Sequence, residues 1–123
     1  MIRLGIVEDV PEMRALLAEC VRGIAGFDVA WEAANVPEAR LLLGRWKPDG
    51  LLLDEVLPGL PGSDLLPDLR AAGVPVVLLS GVSAGQGRGA PPEGLLRLEK
   101  PHWRTLGQDR ERFRAAFHQA FRA

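Results

Sequence analysis

The sequence predicts an α/β protein, a doubly wound parallel sheet of five strands with helices on both faces. Three observations carry that expectation. Short apolar runs alternate with segments of helical periodicity along the whole chain. Leu51-Leu52-Leu53 is continuously apolar rather than alternating, as a strand covered on both faces must be. Val74 to Leu79 repeats that pattern and is the clearest strand of the five.

The elements follow in order. Ile2 to Val7 is apolar and short, and reads as a buried strand. Pro11 suits the first turn of a helix, where its missing N–H costs nothing. Met13, Leu16, Leu17, Cys20, Val21 and Ile24 then recur at helical spacing, with Gly26 beyond the end. Phe27 to Trp31 is the second strand. Asn35 and Glu38 stand three apart, the spacing of a capping box, ahead of an apolar stripe of Ala39, Leu42, Leu43 and Trp46.

Lys47-Pro48-Asp49-Gly50 is a turn, and the third strand runs from Leu51 straight into Asp54. Pro67 must fall in a first helical turn, so the next helix begins near Ser63 or Asp64 and ends near Ala72. After the fourth strand, residues 81–94 hold five Gly and two Pro in fourteen positions. A helix is expected between parallel strands, but this stretch resists one, so the fourth helix is expected to be shortened or disordered. Leu95 to Leu98 is a short fifth strand. A last helix runs from about Thr105 to Phe121, with Leu106, Phe113, Ala116, Phe117 and Ala120 inward.

Bulk properties narrow the function. The chain has 123 residues, 47% of them hydrophobic, enough for one domain over 1–123 with one core. Net charge is −1, so a dedicated nucleic-acid binder is not expected. Charge is uneven: residues 1–87 carry seven Lys/Arg against twelve Asp/Glu, and residues 88–123 carry eight against four. A single cysteine, Cys20, allows no internal disulfide. No run of 18 apolar residues exists, and the N-terminus turns acidic too early for a signal peptide, so cytoplasmic residence is the expectation.

Ligands of open parallel sheets bind at the carboxyl ends of the strands, near a topological switch point. Here those ends read Glu8-Asp9, then Asp54, then Ser80-Gly81, then Glu99-Lys100-Pro101. Alone, an acidic pair commonly caps a helix, and a Ser-Gly or Lys-Pro pair carries little meaning. At successive strand ends they assemble three carboxylates, a hydroxyl and an amine. Crowded carboxylates resist sharing a site without a cation, and a hard cation such as Mg²⁺ relieves them while leaving room for phosphate oxygens. A carboxylate beside that metal is a competent nucleophile on phosphorus, with the metal and Lys100 stabilising the transferring group.

This set resembles the receiver domain of two-component response regulators, over essentially the whole chain. The resemblance rests on Ile6-Val7-Glu8-Asp9, on Leu52-Leu53-Asp54-Glu55-Val56-Leu57-Pro58-Gly59-Leu60-Pro61-Gly62, on Ser80-Gly81 and on Lys100-Pro101. It implies a flavodoxin-like fold and a phospho-acceptor module. Asp54 would take phosphate from a sensor histidine kinase or phosphotransfer protein. Asp9, Asp54 and the Val56 carbonyl would bind Mg²⁺, with Glu8 assisting through water. Lys100 and the Ser80 hydroxyl would contact the phosphoryl group. Self-phosphorylation and autodephosphorylation would replace conventional turnover.

Two departures stand out. Where the family commonly has an aromatic residue three positions before the lysine, this chain has Arg97, expected to reach the surface or pair with an acid. The Gly/Pro-rich stretch falls where the family's fourth helix belongs. The output partner or output domain is therefore left open, as is a free-standing chain against a longer regulator. A pseudo-receiver, acting as a constitutive interaction or dimerisation module, is the alternative. A Mg²⁺-dependent phosphatase is a third reading, disfavoured by Val56 where such enzymes carry a second acid. His102 and His118 have no partners at ligand spacing. Trp31 and Trp46 read as core, and the Phe113/Phe117/Phe121 stripe as core with an outer edge available to a homodimer.

Overall fold

The computed structural model describes residues 1–81, 91 and 94–121. The elements are β1 (Ile2–Val7), α1 (Pro11–Arg22), β2 (Phe27–Ala33), α2 (Val36–Arg45), β3 (Gly50–Asp54), a 3₁₀ turn (Gly62–Leu65), α3 (Leu66–Ala72), β4 (Val76–Ser80), β5 (Leu96–Glu99), a second 3₁₀ turn (Trp103–Thr105) and α4 (Leu106–Ala120). The expected shortening or disorder of a fourth helix falls mainly on residues 82–90, 92 and 93, outside the described residues.

Among the described residues the sheet has five strands in the order β2-β1-β3-β4-β5, and every pairing is parallel. Winding reverses between β1 and β3, so the switch point lies at the carboxyl ends of those two strands. Both ends are acidic. The register aligns Val7 with Leu53, Asp54 with Leu79 and Ser80 with Glu99, which levels the carboxyl ends of the four strands.

Alternation along each strand feeds two cores. Leu4, Ile6, Leu52, Val77, Leu79 and Leu98 pack under α1 and α4, against Leu17, Phe113 and Phe117. Val7, Leu51, Leu53 and Leu78 face the other way, against Val36 and Ala39 of α2 and Leu66 and Leu69 of α3. Every residue of β3 and β4 is buried, as the continuous apolar runs require. Two glycines mark close approaches: a Cβ on Gly50 would strike the Phe121 ring, and one on Gly5 would strike Trp31 and Leu51.

Some expectations need correction. Pro67 lies at the start of α3, but Gly62–Leu65 ahead of it coils as 3₁₀ rather than α. Trp46 is 59% exposed rather than core. It ends α2 in extended backbone and engages the fold through its main chain, its N–H donating to the Leu42 carbonyl and its carbonyl accepting the indole N–H of buried Trp31, each at 2.8 Å. Asn35 caps α2 through the Glu38 amide, but the Glu38 carboxylate reaches back to Ala34 rather than to Asn35. No helix among the described residues is long and apolar enough to cross a membrane.

Candidate phosphoryl and metal site

The acidic pair ending β1 does not cap α1. The N-cap residue is Val10, with no side-chain cap. Instead Glu8 turns inward, fully buried, and its Oε2 accepts the Val10 amide at 3.0 Å. Asp9 is half-buried at the lip. Asp54, at the end of β3, is buried with its carboxylate in the same pit. One carboxylate oxygen from each of Glu8, Asp9 and Asp54 lies within 4.8 Å of the other two.

Lys100 follows β5 and closes the pit from the opposite side. Its Nζ lies 2.7 Å from Glu8 Oε1 and 2.9 Å from Asp54 Oδ2. Burial raises the Glu8 carboxyl above its usual range, and the nearby Asp54 charge adds to that, although Lys100 opposes both. Desolvation works to lower the Lys100 ammonium, but its contacts with Glu8 and Asp54 outweigh it and hold the group above its usual value. One ammonium thus faces three carboxylates, an excess of negative charge in a sheltered place.

That excess fits a hard divalent cation. Glu8 is already engaged at both oxygens, Oε1 by the Lys100 ammonium and Oε2 by the Val10 amide, so the surplus charge falls to Asp9 and Asp54 at the mouth of the pit. Carboxylates and carbonyls are the oxygen donors Mg²⁺ takes, with water and phosphate filling its remaining positions. Asp9 and Asp54 supply carboxylates here, with the adjoining Val56 carbonyl as a candidate ligand and Glu8 behind them.

The loop after Asp54 is shaped locally. Asp54 Oδ1 accepts the Val56 amide at 3.0 Å, an Asx-type turn. Gly62 donates its N–H to the Glu55 carbonyl at 3.2 Å, and a Cβ at Gly62 would collide with the Asp54 carbonyl oxygen. Only glycine lets the loop close there. Val56 itself is 60% exposed.

Ser80 ends β4 at the rim. Its hydroxyl donates to the Leu98 carbonyl over a long 3.4 Å, so it is weakly held. The Ser80 carbonyl accepts the Lys100 amide at 2.7 Å, which seats the lysine beside it.

Three contributors escaped the sequence reading as parts of this site. Arg14 Nη1 donates to the Glu8 carbonyl at 2.9 Å. Glu55 receives Arg97 in a two-point fork, Nε to Oε1 at 2.7 Å and Nη2 to Oε2 at 3.0 Å. Asp109, on the buried face of α4, accepts the His102 amide, the Thr105 hydroxyl and Arg112, and so anchors the segment after Lys100. Asp109 occupies an inward helical position between Leu106 and Phe113. A lone acid on an apolar stripe was a signal that could have found it.

Residues 4–88 match the family described as response regulator receiver domain. That match contains Glu8, Asp9, Asp54 and Ser80; Lys100 lies beyond it. The transcriptional regulatory protein DpiA of Escherichia coli K12 is 40% identical over 72 residues, covering 58% of this chain and 32% of DpiA. The DNA-binding response regulator MtrA of Mycolicibacterium smegmatis is 38% identical over 79 residues, covering 63% of this chain and 34% of MtrA. The matches span about a third of the length of these relatives. Among solved structures, the response regulator domain of Thermotoga maritima CheB superposes with a TM-score of 0.80 at 24% identity, covering 100% of this chain and 98% of that one. A structure of the P1 domain of CheA3 in complex with CheY6 from R. sphaeroides matches with a TM-score of 0.77 at 25% identity, covering 95% and 97%.

Proposed function

The chain belongs to the response regulator receiver domain family, and from that premise we propose that residues 1–123 form one phospho-acceptor module whose acceptor is Asp54. The observation that carries the reading is the Lys100 ammonium, bridging Asp54 and buried Glu8 beside Asp9. Nothing in a purely structural sheet end calls for three acids around one lysine.

The residues divide the work. Asp54 is the nucleophile: one carboxylate oxygen forms a P–O bond while the P–N bond of a phosphohistidine donor breaks. The departing imidazole nitrogen takes a proton from solvent. Lys100 has one contact to exchange, from the Asp54 carboxylate to a phosphoryl oxygen. The Ser80 hydroxyl, weakly engaged, is placed to turn toward a second phosphoryl oxygen. A bound Mg²⁺ held by Asp9, Asp54 and the Val56 carbonyl supplies charge neutralisation for the transferring group.

The partner is a sensor histidine kinase or a phosphotransfer protein. Val10, Met13 and Leu16 line an apolar groove with Pro101 and Trp103. The groove flanks the acids, and Val10 and Trp103 are exposed in it, which suits the apolar face of a donor helix. Output goes to a further domain of a longer regulator or to a separate partner. Cytoplasmic residence agrees with that partnership.

Titration with beryllofluoride and Mg²⁺, followed by amide NMR, tests the reading. Shifts at Asp9, Val56, Ser80 and Lys100 in wild type, lost in Asp54→Asn, support it. An unresponsive wild-type protein favours a constitutive pseudo-receiver, and rapid turnover of a foreign phosphate ester favours a phosphatase.

A further inference from the structure

β5 grips the end of β3 twice, reaching across β4 each time. Lys100 holds Asp54, and Arg97, three residues earlier, holds the next residue, Glu55. The two grips lie on opposite faces of the sheet. Leu96 and Leu98 join the core under α1 and α4, so Arg97 between them projects toward the α3 face. Arg97 pairs in register with Leu78, itself part of the core on that α3 face.

The Arg97–Glu55 contact is built for geometry. It is a two-point fork, the arrangement in which a planar guanidinium fixes a carboxylate's orientation as well as its distance. Both side chains are largely sheltered, at 14% and 18% exposure. Glu55 is also held at its other end, where its carbonyl accepts the Gly62 amide. Backbone and side chain of the residue between Asp54 and Val56 are therefore both tied down.

We propose that Arg97 is a positioning residue for the cation and phosphoryl site, acting through Glu55 to fix the peptide planes from Asp54 to Val56. Those planes aim the two groups the site takes from this loop, the Asp54 carboxylate and the Val56 carbonyl. Arg97 meets this loop through Glu55, one residue beyond Asp54. This rests on the reading of Asp54 as an acceptor beside Mg²⁺.

Charge and geometry make opposite forecasts, which gives a clean test. Arg97→Met removes a positive charge near an acidic pit, so simple electrostatics calls for equal or tighter cation binding. Loss of positioning calls for weaker binding, by about tenfold, as when an outer support of a metal ligand is removed. The measurement is Mg²⁺ titration of the intact chain by calorimetry, with amide hydrogen exchange at Val56 as a second readout. Arg97→Lys keeps the charge but not the fork, and serves as the conservative variant should Arg97→Met fold poorly. Weaker Mg²⁺ binding and faster Val56 exchange in these variants, with recovery in the exchanged pair Arg97→Glu/Glu55→Arg, support the proposal. Mg²⁺ binding as tight as wild type in a folded Arg97→Met or Arg97→Lys overturns it. Failure of the wild-type protein to bind Mg²⁺ or beryllofluoride overturns the acceptor reading instead.

Discussion

The Lys100 ammonium lies 2.7 Å from the Oε1 atom of Glu8, a carboxylate with no exposed surface. Residues 92 positions apart are thus locked together beside Asp54. Removing one member of such a pair leaves a buried charge uncompensated.

Lys100→Met is therefore expected to destabilise the metal-free protein by about 3 kcal/mol. Glu8 already has a raised carboxyl, and loss of the ammonium raises it further. A folded-state value above the unfolded one means stability that is full below the unfolded value, near 4.5, and is lost as pH rises through the folded value. The deficit of the variant should thus shrink as pH falls from 7 toward 5, and shrink on adding Mg²⁺. Thermal melts across pH, with and without Mg²⁺, check both.

Asp109 carries the opposite sign. Burial works to raise its carboxyl, but bonds from the His102 amide, Arg112 and Thr105 prevail and hold it below its usual value of 3.8. Its contribution is present above the unfolded value and is lost as pH falls through the lower folded one. Asp109→Asn should cost about 1–3 kcal/mol at neutral pH, and the gap to wild type should begin to narrow only as pH falls below 3.8 toward the lower folded value. Denaturant melts at pH 7 and pH 3 measure it. Because Asp109 seats the segment after Lys100, slower phosphorylation is expected as well.

Gly62→Ala should disturb the loop from Asp54 to Gly62 more than its stability suggests. The added methyl meets the Asp54 carbonyl oxygen, a backbone atom that cannot rotate away. A loss of about 1–3 kcal/mol is expected. Weakened Mg²⁺ binding in the folded variant, measured by calorimetry, is the specific sign of a displaced Asp54–Val56 segment.

Cys20 should report global unfolding. Its thiol is buried in the core under α1 and pushed up to about 11, chiefly by desolvation. At pH 8 the native protein should resist a thiol reagent, with labelling paced by opening of the core. Rapid labelling of the folded chain would show α1 to be loosely packed.

Much of this was legible beforehand. Leu51-Leu52-Leu53 announced a strand covered on both faces, and Glu8-Asp9, Asp54, Ser80 and Lys100 announced a site because each ends a strand in turn. Trp46 misled, since a large ring at helical spacing implies burial, whereas its helix stops one residue earlier and the ring swings out. Glu8 could be placed at the site but not its depth, because nothing local distinguishes an acid that caps a helix from one that turns beneath it. The Arg97–Glu55 fork was half legible. Arg97 on a short apolar strand demanded an acid, but choosing Glu55, 42 positions away, required knowing that β5 lies two strands from β3, across β4.

The most direct test is the intact mass of the protein after incubation with Mg²⁺ and acetyl phosphate. Wild type is expected to gain one base-labile phosphate, and Asp54→Asn none. No gain in wild type, or an equal gain in Asp54→Asn, would contradict Asp54 as the acceptor.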